Sequence, residues 1–165
     1  MNYQPERIVF ATDQPTLLAG FRKAIRLTDF NAEPMMLRPR AAFASLRSDV
    51  ACLFFVDAKR APSSNVLAQA VRNSPQSRFV LSGASITPEM LRTAFDTSIH
   101  GVLSINLPVE EAADAIIRIW DGERQFRFDT GLTTHPAYMP LPAPQVPAAE
   151  ACDDFDRAWM FGLAG

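Results

Sequence analysis

The stretch from Val50 to Asp57 constrains the fold of this 165-residue chain more than any other. It reads Val-Ala-Cys-Leu-Phe-Phe-Val and then an aspartate, so that seven mostly apolar residues precede one carboxylate. Short apolar runs rich in aromatic and β-branched residues are typical of strands buried on both faces of a sheet. Asp57 is then expected at the carboxyl end of a strand, the edge where open α/β sheets build their sites.

Four further apolar segments alternate with amphipathic ones. Strands are predicted at Arg7–Ala11, Met35–Leu37, Arg78–Ser82 and Gly101–Leu103, in addition to the one that ends at Asp57. Between them, apolar residues recur at helical spacing, and a proline or a threonine often marks the expected helix start. This alternation predicts an α/β domain with a parallel five-stranded sheet covered by helices on both faces.

Composition excludes several classes of protein. The chain is 48% hydrophobic and 21% charged with a net charge of −2, which is not the charge pattern of a nucleic-acid binder. No apolar run approaches the roughly 20 residues of a membrane span. Cys52 and Cys152 form neither a disulfide framework nor a metal-binding spacing. We therefore expect a cytoplasmic protein that contacts neither membranes nor nucleic acid directly, and, with no nucleophile–base pairing visible, no enzyme.

The composition changes after residue 128. Residues 1–128 are expected to form the domain, 129–147 a proline-rich linker, and 148–165 a short amphipathic helix. Phe155, Trp159 and Met160 fall on one side of that helix. A helix this short is marginal alone, so these side chains are expected to dock on the domain, on a second copy or on a partner.

Polar residues follow the predicted strands in a particular order. Thr12-Asp13-Gln14-Pro15 follows the first strand, Asp57 the third, and Ser82 ends the fourth. From about Arg7 to Phe128 this order resembles the receiver domain of bacterial two-component response regulators, most of all those of LuxR-type regulators. The resemblance implies a three-layer, doubly wound, flavodoxin-like sheet with strand order 2-1-3-4-5. We expect a short tail in place of the helix-turn-helix output domain of those regulators.

The resemblance also implies residue roles. Asp57 would be the phosphoacceptor, Asp13 and Asp57 would hold Mg²⁺, and Ser82 would be the switch hydroxyl. Other interpretations of the same residues stay open. Asp57 can be a loop carboxylate bonded to nearby backbone, Asp13 a helix cap, and Ser82 a hydroxyl bonded to the backbone.

The sequence departs from the receiver pattern inside this pocket. Thr12 replaces the first residue of the acidic pair, and Ile105 and Asn106 lie where receivers have a lysine. Lys59 and Arg60, just after Asp57, either supply charge to the pocket or pair with Asp57. We therefore expect weak Mg²⁺ binding at best and slow or absent phosphorylation.

The preferred hypothesis is an atypical receiver, or pseudo-receiver, that acts as a protein-interaction module. Its partner would be a histidine kinase or a downstream signalling protein, and the resemblance implies a homodimer. One alternative is a working phospho-receiver with altered kinetics. Another is a small-ligand sensor that uses the pocket around Thr12, Asp13, Asp57, Ile105 and Asn106.

Overall fold

The structure, a computed structural model, describes residues 4–128, which form six strands and five helices. The strands are β1 (Arg7–Ala11), β2 (Pro34–Leu37), β3 (Cys52–Asp57), β4 (Arg78–Gly83), β5 (Gly101–Ser104) and β6 (Gln125–Arg127). The helices are α1 (Pro15–Arg26), α2 (Pro39–Ala44), α3 (Ser64–Asn73), α4 (Pro88–Asp96) and α5 (Val109–Trp120).

All six strands are parallel and lie in the order β2-β1-β3-β4-β5-β6. The α/β class and the order 2-1-3-4-5 predicted from the sequence are confirmed. The sheet, however, has one strand more than the five predicted, because β6 adds to the free edge of β5. The three residues of β6 form no apolar run, so the sequence pattern alone did not mark a strand there.

A glycine makes the sixth strand possible. Gly122 adopts a φ of +98°, a left-handed conformation that lets the chain turn sharply at the end of α5. The backbone N–H of Gln125 then donates to the carbonyl of His100, and Phe126 stacks on Phe95 of α4 with ring centroids 4.9 Å apart. β6 is therefore held both by the sheet and by a helix.

Apolar side chains cover both faces of the sheet. One layer packs α1 and α5 against it, the other packs α2, α3 and α4. All six residues of β3 are buried, as expected for its apolar run. Phe10 of β1 and Phe55 of β3 stack face to face at 4.3 Å. Burial raises the pKa of the Cys52 thiol to about 12, so that Cys52 is a neutral core residue.

Several predicted helix signals are present. Pro15 is in the first turn of α1, and the Thr87 hydroxyl accepts the backbone N–H of Met90 at 3.2 Å as the cap of α4. Val66 of α3 is 48% exposed, although it is apolar. No helix in residues 4–128 is long and apolar enough to cross a membrane. The predicted linker (129–147) and tail helix (148–165), with Phe155, Trp159 and Met160, lie outside the described residues.

Candidate functional site

The carboxyl end of β3 buries an aspartate among neutral donors. Asp57 is only 3% exposed. Its Oδ2 accepts the hydroxyl of Thr12 at 2.8 Å, and its Oδ1 accepts the backbone N–H of Lys59 at 3.0 Å. Among residues 4–128 no lysine, arginine or histidine forms an ion pair with it. Two uncharged groups therefore satisfy the buried carboxylate, and within the described chain no cation does.

Thr12 is held in place to make this bond. It follows β1 directly, is fully buried, and donates its backbone N–H to the carbonyl of Leu37 at the end of β2. Its hydroxyl oxygen also accepts the backbone N–H of Gln14 at 3.0 Å, which directs the hydroxyl hydrogen towards Asp57. Where receivers place a second carboxylate, this chain therefore places a hydrogen-bond donor.

Asp13 faces away from this buried pair. Its carboxylate is exposed and forms an ion pair with the guanidinium of Arg60 at 3.4 Å. It does not cap α1, because the N-cap position is Gln14 and no side chain caps that helix. Arg60 therefore forms an ion pair with Asp13 and not with Asp57.

Ser82 lies beside Asp57, as the parallel register of β3 and β4 requires. Its hydroxyl is fully buried and donates to the carbonyl of Val56 at 3.3 Å. In this structure the hydroxyl is therefore bonded to the backbone, the second of the two arrangements open from the sequence. Asn106 likewise donates from Nδ2 to the carbonyl of Ala84 at 3.0 Å.

Ile105 lies, with Ser104 and Asn106, in the stretch after β5 where receivers have a lysine, and it packs as an apolar residue. It is half-buried and contacts the layer formed with α1 and α5. A Cβ atom on Gly20 of α1 would lie 3.3 Å from the Cβ of Ile105, so the absence of a side chain at Gly20 lets Ile105 pack closely. Ile105 therefore packs against the apolar core.

These residues do not fit a magnesium site. Mg²⁺ needs several oxygen ligands in near-octahedral geometry, usually including one or two carboxylates and waters. Here both oxygens of Asp57 hold hydrogen bonds, and Asp13 is paired with Arg60. Within residues 4–128 no group of three or more Asp, Glu, His or Cys side chains is placed to hold a metal ion.

An open cleft of about 520 Å³ lies over Asp57. Of the predicted pocket residues, Asp57, Lys59 and Ile105 line it, whereas Thr12, Asp13 and Asn106 do not. The remaining lining comes from the end of β4, the loops after β3 and β4, and the starts of α1, α3 and α4. Local sequence patterns do not predict these residues, because nothing in them shows that the residues line the same cleft. They include Gln14, Leu17, Ser63, Leu81, Ser85, Glu89 and Met90.

Sequence comparisons find no match, either to a protein-family model or to a curated protein. Comparison with solved structures does find matches. The isolated receiver domain of RcsB from Salmonella enterica serovar Typhimurium, solved with the phosphomimetic BeF3−, aligns with a TM-score of 0.61 and 16% identity, covering 75% of this chain and 94% of that one.

Two further structures show the same likeness. The receiver domain of the response regulator NarL from Mycobacterium tuberculosis has a TM-score of 0.59 and 21% identity, covering 73% of this chain and 100% of that one. A LuxR family DNA-binding response regulator from Silicibacter pomeroyi has a TM-score of 0.56 and 16% identity, covering 76% and 98%. Residues 4–128 therefore have the fold of a response-regulator receiver domain.

Proposed function

We propose that this chain is an atypical receiver that works as a protein-interaction module in bacterial two-component signalling, with little or no phosphorylation of Asp57. The closed state of that carboxylate is the observation on which the proposal rests. The Thr12 hydroxyl holds one oxygen and the Lys59 backbone N–H the other. Both donors stabilise the carboxylate in its charged form, and forming an acyl phosphate on Asp57 removes that charge and weakens both hydrogen bonds, which adds to the barrier.

The charges of the pocket favour the same proposal. Phosphoryl transfer spreads negative charge over the phosphoryl oxygens, and catalysis depends on positive charge placed to meet it. Here Ile105 is apolar and Thr12 contributes no carboxylate for a metal. Removing one pre-organised group from such a site typically costs about a hundred- to a thousandfold in rate. With two such groups replaced, we propose that signalling depends on binding and that the chain is not an enzyme.

The last helices offer a surface for such binding. Phe95 on α4 and Ile117 on α5 are each 38% exposed, although both are large apolar residues. Phe95 also covers Phe126 of β6, so the added strand belongs to this side of the molecule. Receivers often pair through the face of their last helices, and we propose a homodimer and a protein partner, such as a histidine kinase or a downstream signalling protein, on this face.

Intact-mass measurement tests the phosphorylation part. After incubation with acetyl phosphate and Mg²⁺ we expect no phosphoryl adduct on the wild-type chain. The double variant Thr12→Asp with Ile105→Lys, which restores the receiver charges, is expected to gain an adduct that disappears when Asp57→Asn is added. A wild-type adduct that Asp57→Asn removes would instead support the working phospho-receiver.

Light scattering after size-exclusion chromatography tests the interaction part. We expect the full chain to be a dimer whose mass does not change with acetyl phosphate. Ile117→Asp should shift it to monomer, because the charge enters the proposed interface. Val66→Asp is the matched control, since Val66 is equally apolar and exposed but lies on α3. A monomeric wild type, or equal effects of both variants, would contradict this interface.

A further inference from the structure

The cleft over Asp57 has the size of a small-molecule site. Its volume of about 520 Å³ falls within the roughly 300–1,000 Å³ of ligand pockets in proteins. Such pockets combine apolar walls with a few polar groups that fix the orientation of the ligand. The apolar walls here are Leu17, Leu81, Met90 and Ile105, and the carboxylate of Asp57 lies among them.

The charge of Asp57 is unbalanced. Buried carboxylates in proteins are usually paired with a cation or a metal, because removing a charge from water is costly. Asp57 is 97% buried, and both of its donors are neutral. A carboxylate accepts about four hydrogen bonds, so two of its acceptor positions remain in addition to those used by Thr12 and Lys59. Among residues 4–128, Asp57 therefore has no cationic hydrogen-bond donor.

Ile105 determines which kind of cation fits. It contributes an apolar wall to the same cleft that contains Asp57. A small, strongly hydrated ion gains nothing from such a wall, whereas an organic cation buries its carbon skeleton against it. Glu89 adds a second negative charge to the lining, so the cleft holds two carboxylates and one ammonium, that of Lys59.

We propose that this cleft binds a small organic cation, an amine with an apolar body whose ammonium group donates to Asp57 while the body packs against Ile105, Leu17 and Met90. This proposal gives a ligand class to the small-molecule alternative and does not depend on whether Asp57 is phosphorylated. Two competing arrangements are present in the cleft itself. The Lys59 ammonium can serve as an internal counter-ion, and the starts of α1, α3 and α4 border the cleft and favour anions.

Three probes that share a phenethyl body but differ in charge separate these possibilities. The ¹⁵N-labelled full chain is titrated at constant ionic strength with phenethylammonium chloride, phenethyl alcohol or sodium 3-phenylpropionate, and its amide resonances are followed by NMR. We expect saturable shifts at Ala58, Lys59 and Gly83 with the ammonium probe. Its affinity should exceed that of the alcohol by at least about tenfold, the effect of one charge-assisted hydrogen bond.

Substitutions on the cleft wall make the test specific. Ile105→Lys supplies a cation within the chain and should weaken binding of the ammonium probe at least about tenfold. Ile105→Leu keeps the volume and the apolar wall and should weaken binding of the ammonium probe much less than Ile105→Lys does. Asp57→Asn should remove the preference for the ammonium probe over the alcohol. Asp13→Asn, which changes a carboxylate outside the cleft lining, should not.

Other outcomes would overturn the proposal. Equal affinity for ammonium and alcohol, or no saturable shift, would exclude a cation site. Preference for 3-phenylpropionate would show that the helix starts bind an anion. Ammonium binding only after Lys59→Gln would identify Lys59 as the counter-ion, and the same shifts with MgCl2 alone, at lower concentration, would identify a metal site. Because none of these titrations involves acetyl phosphate, their failure is distinct from that of the proposed function.

Discussion

Asp57 at the carboxyl edge of the sheet and His100 at the opposite edge are both ionisable residues that bond only to neutral groups, yet their surroundings differ. Nδ1 of His100 accepts the backbone N–H of Phe79 at 3.0 Å, and its ring stacks on the Phe79 ring. Asp57 accepts two donors but opens on a cleft of about 520 Å³.

The difference between the two edges separates structural from functional use of a polar group. The imidazole of His100 completes the pairing of β4 and β5, where the backbone N–H of His100 also donates to the carbonyl of Phe79. Its Nδ1 needs no further donor, because the lone pair of a neutral imidazole nitrogen is satisfied by one N–H. Asp57 keeps unused acceptor capacity and faces space. Of these two sites, the one at the carboxyl edge therefore combines a buried ionisable group with room for a ligand.

Lowering the pH should destabilise the folded protein through His100, and this is the largest effect that we expect. Burial, aided by the charges of Arg78 and Arg124, lowers the pKa of His100 to about 4. Between pH 6.5 and 4 the unfolded chain therefore binds more protons than the folded chain, so stability falls as pH falls through this range. At most roughly 3 kcal/mol of unfolding free energy is at stake, measured by urea unfolding at several pH values.

A variant without the titrating ring isolates this contribution. His100→Asn keeps an acceptor near the N–H of Phe79 but cannot bind the proton, so its stability should fall less between pH 6.5 and 4. All other ionisable groups are present in both proteins, so their contributions cancel in the difference. Parallel pH profiles of the two proteins would show that His100 is not the group responsible.

Removing the Thr12 hydroxyl tests how much the hydrogen bond between Thr12 and Asp57 stabilises the fold. Thr12→Val keeps the shape of the side chain but leaves a buried carboxylate with one donor fewer. Hydrogen bonds to charged groups contribute about 1.5–3 kcal/mol, so we expect a loss of about 2 kcal/mol at neutral pH, measured by urea unfolding.

The control for this change is Thr12→Ser. Serine retains the hydroxyl that donates to Asp57 and loses only a methyl group, so most of the stability should remain. If Thr12→Val is as stable as the wild type, the Thr12–Asp57 hydrogen bond does not stabilise the fold, and the closed state of Asp57 loses its support.

The two edges were not equally predictable from the sequence. The apolar run before Asp57 predicts a buried strand, and a carboxylate at its end predicts a site, because both depend on local pattern. The partners of these residues depend on tertiary contacts. Nothing in the sequence shows that Arg60 pairs with Asp13 and leaves Asp57 to Thr12. The same holds for His100, whose acceptor role requires the register of β4 and β5.

β6 shows a similar limit. Gln125–Arg127 has no apolar run, and its three residues alternate over too short a stretch to predict a strand; it is a strand because β5 offers a free edge and Phe95 covers Phe126. A glycine after a helix is a common stop signal, so the sequence can predict the end of α5 near Gly122. It does not predict the strand β6 that follows. A strand that forms by pairing with the free edge of a sheet does not need a strong sequence pattern of its own.

A more exposed carboxylate, Asp114, provides a smaller expected effect and a contrast with Asp57. Asp114 on α5 accepts Arg127 of β6 at 2.8 Å and Arg118 at 3.1 Å. Partial burial opposes ionisation of Asp114, but the hydrogen bonds from both arginines lower its pKa. Water screens such surface pairs, so Asp114→Asn should cost less than about 1 kcal/mol, and the loss should disappear in high salt.

Salt dependence then distinguishes the two carboxylates. The effect of Thr12→Val on Asp57 should persist in high salt, because ions do not screen a hydrogen bond to a group that is 97% buried. Asp49→Asn, at an exposed pair with Arg47 that joins no two elements of the fold, should change urea unfolding least of all. If Asp114→Asn instead costs as much as Thr12→Val at every salt concentration, then the α5–β6 pair acts as a buried interaction, and the attachment of β6 depends on charge as much as on the stacking of Phe95 and Phe126.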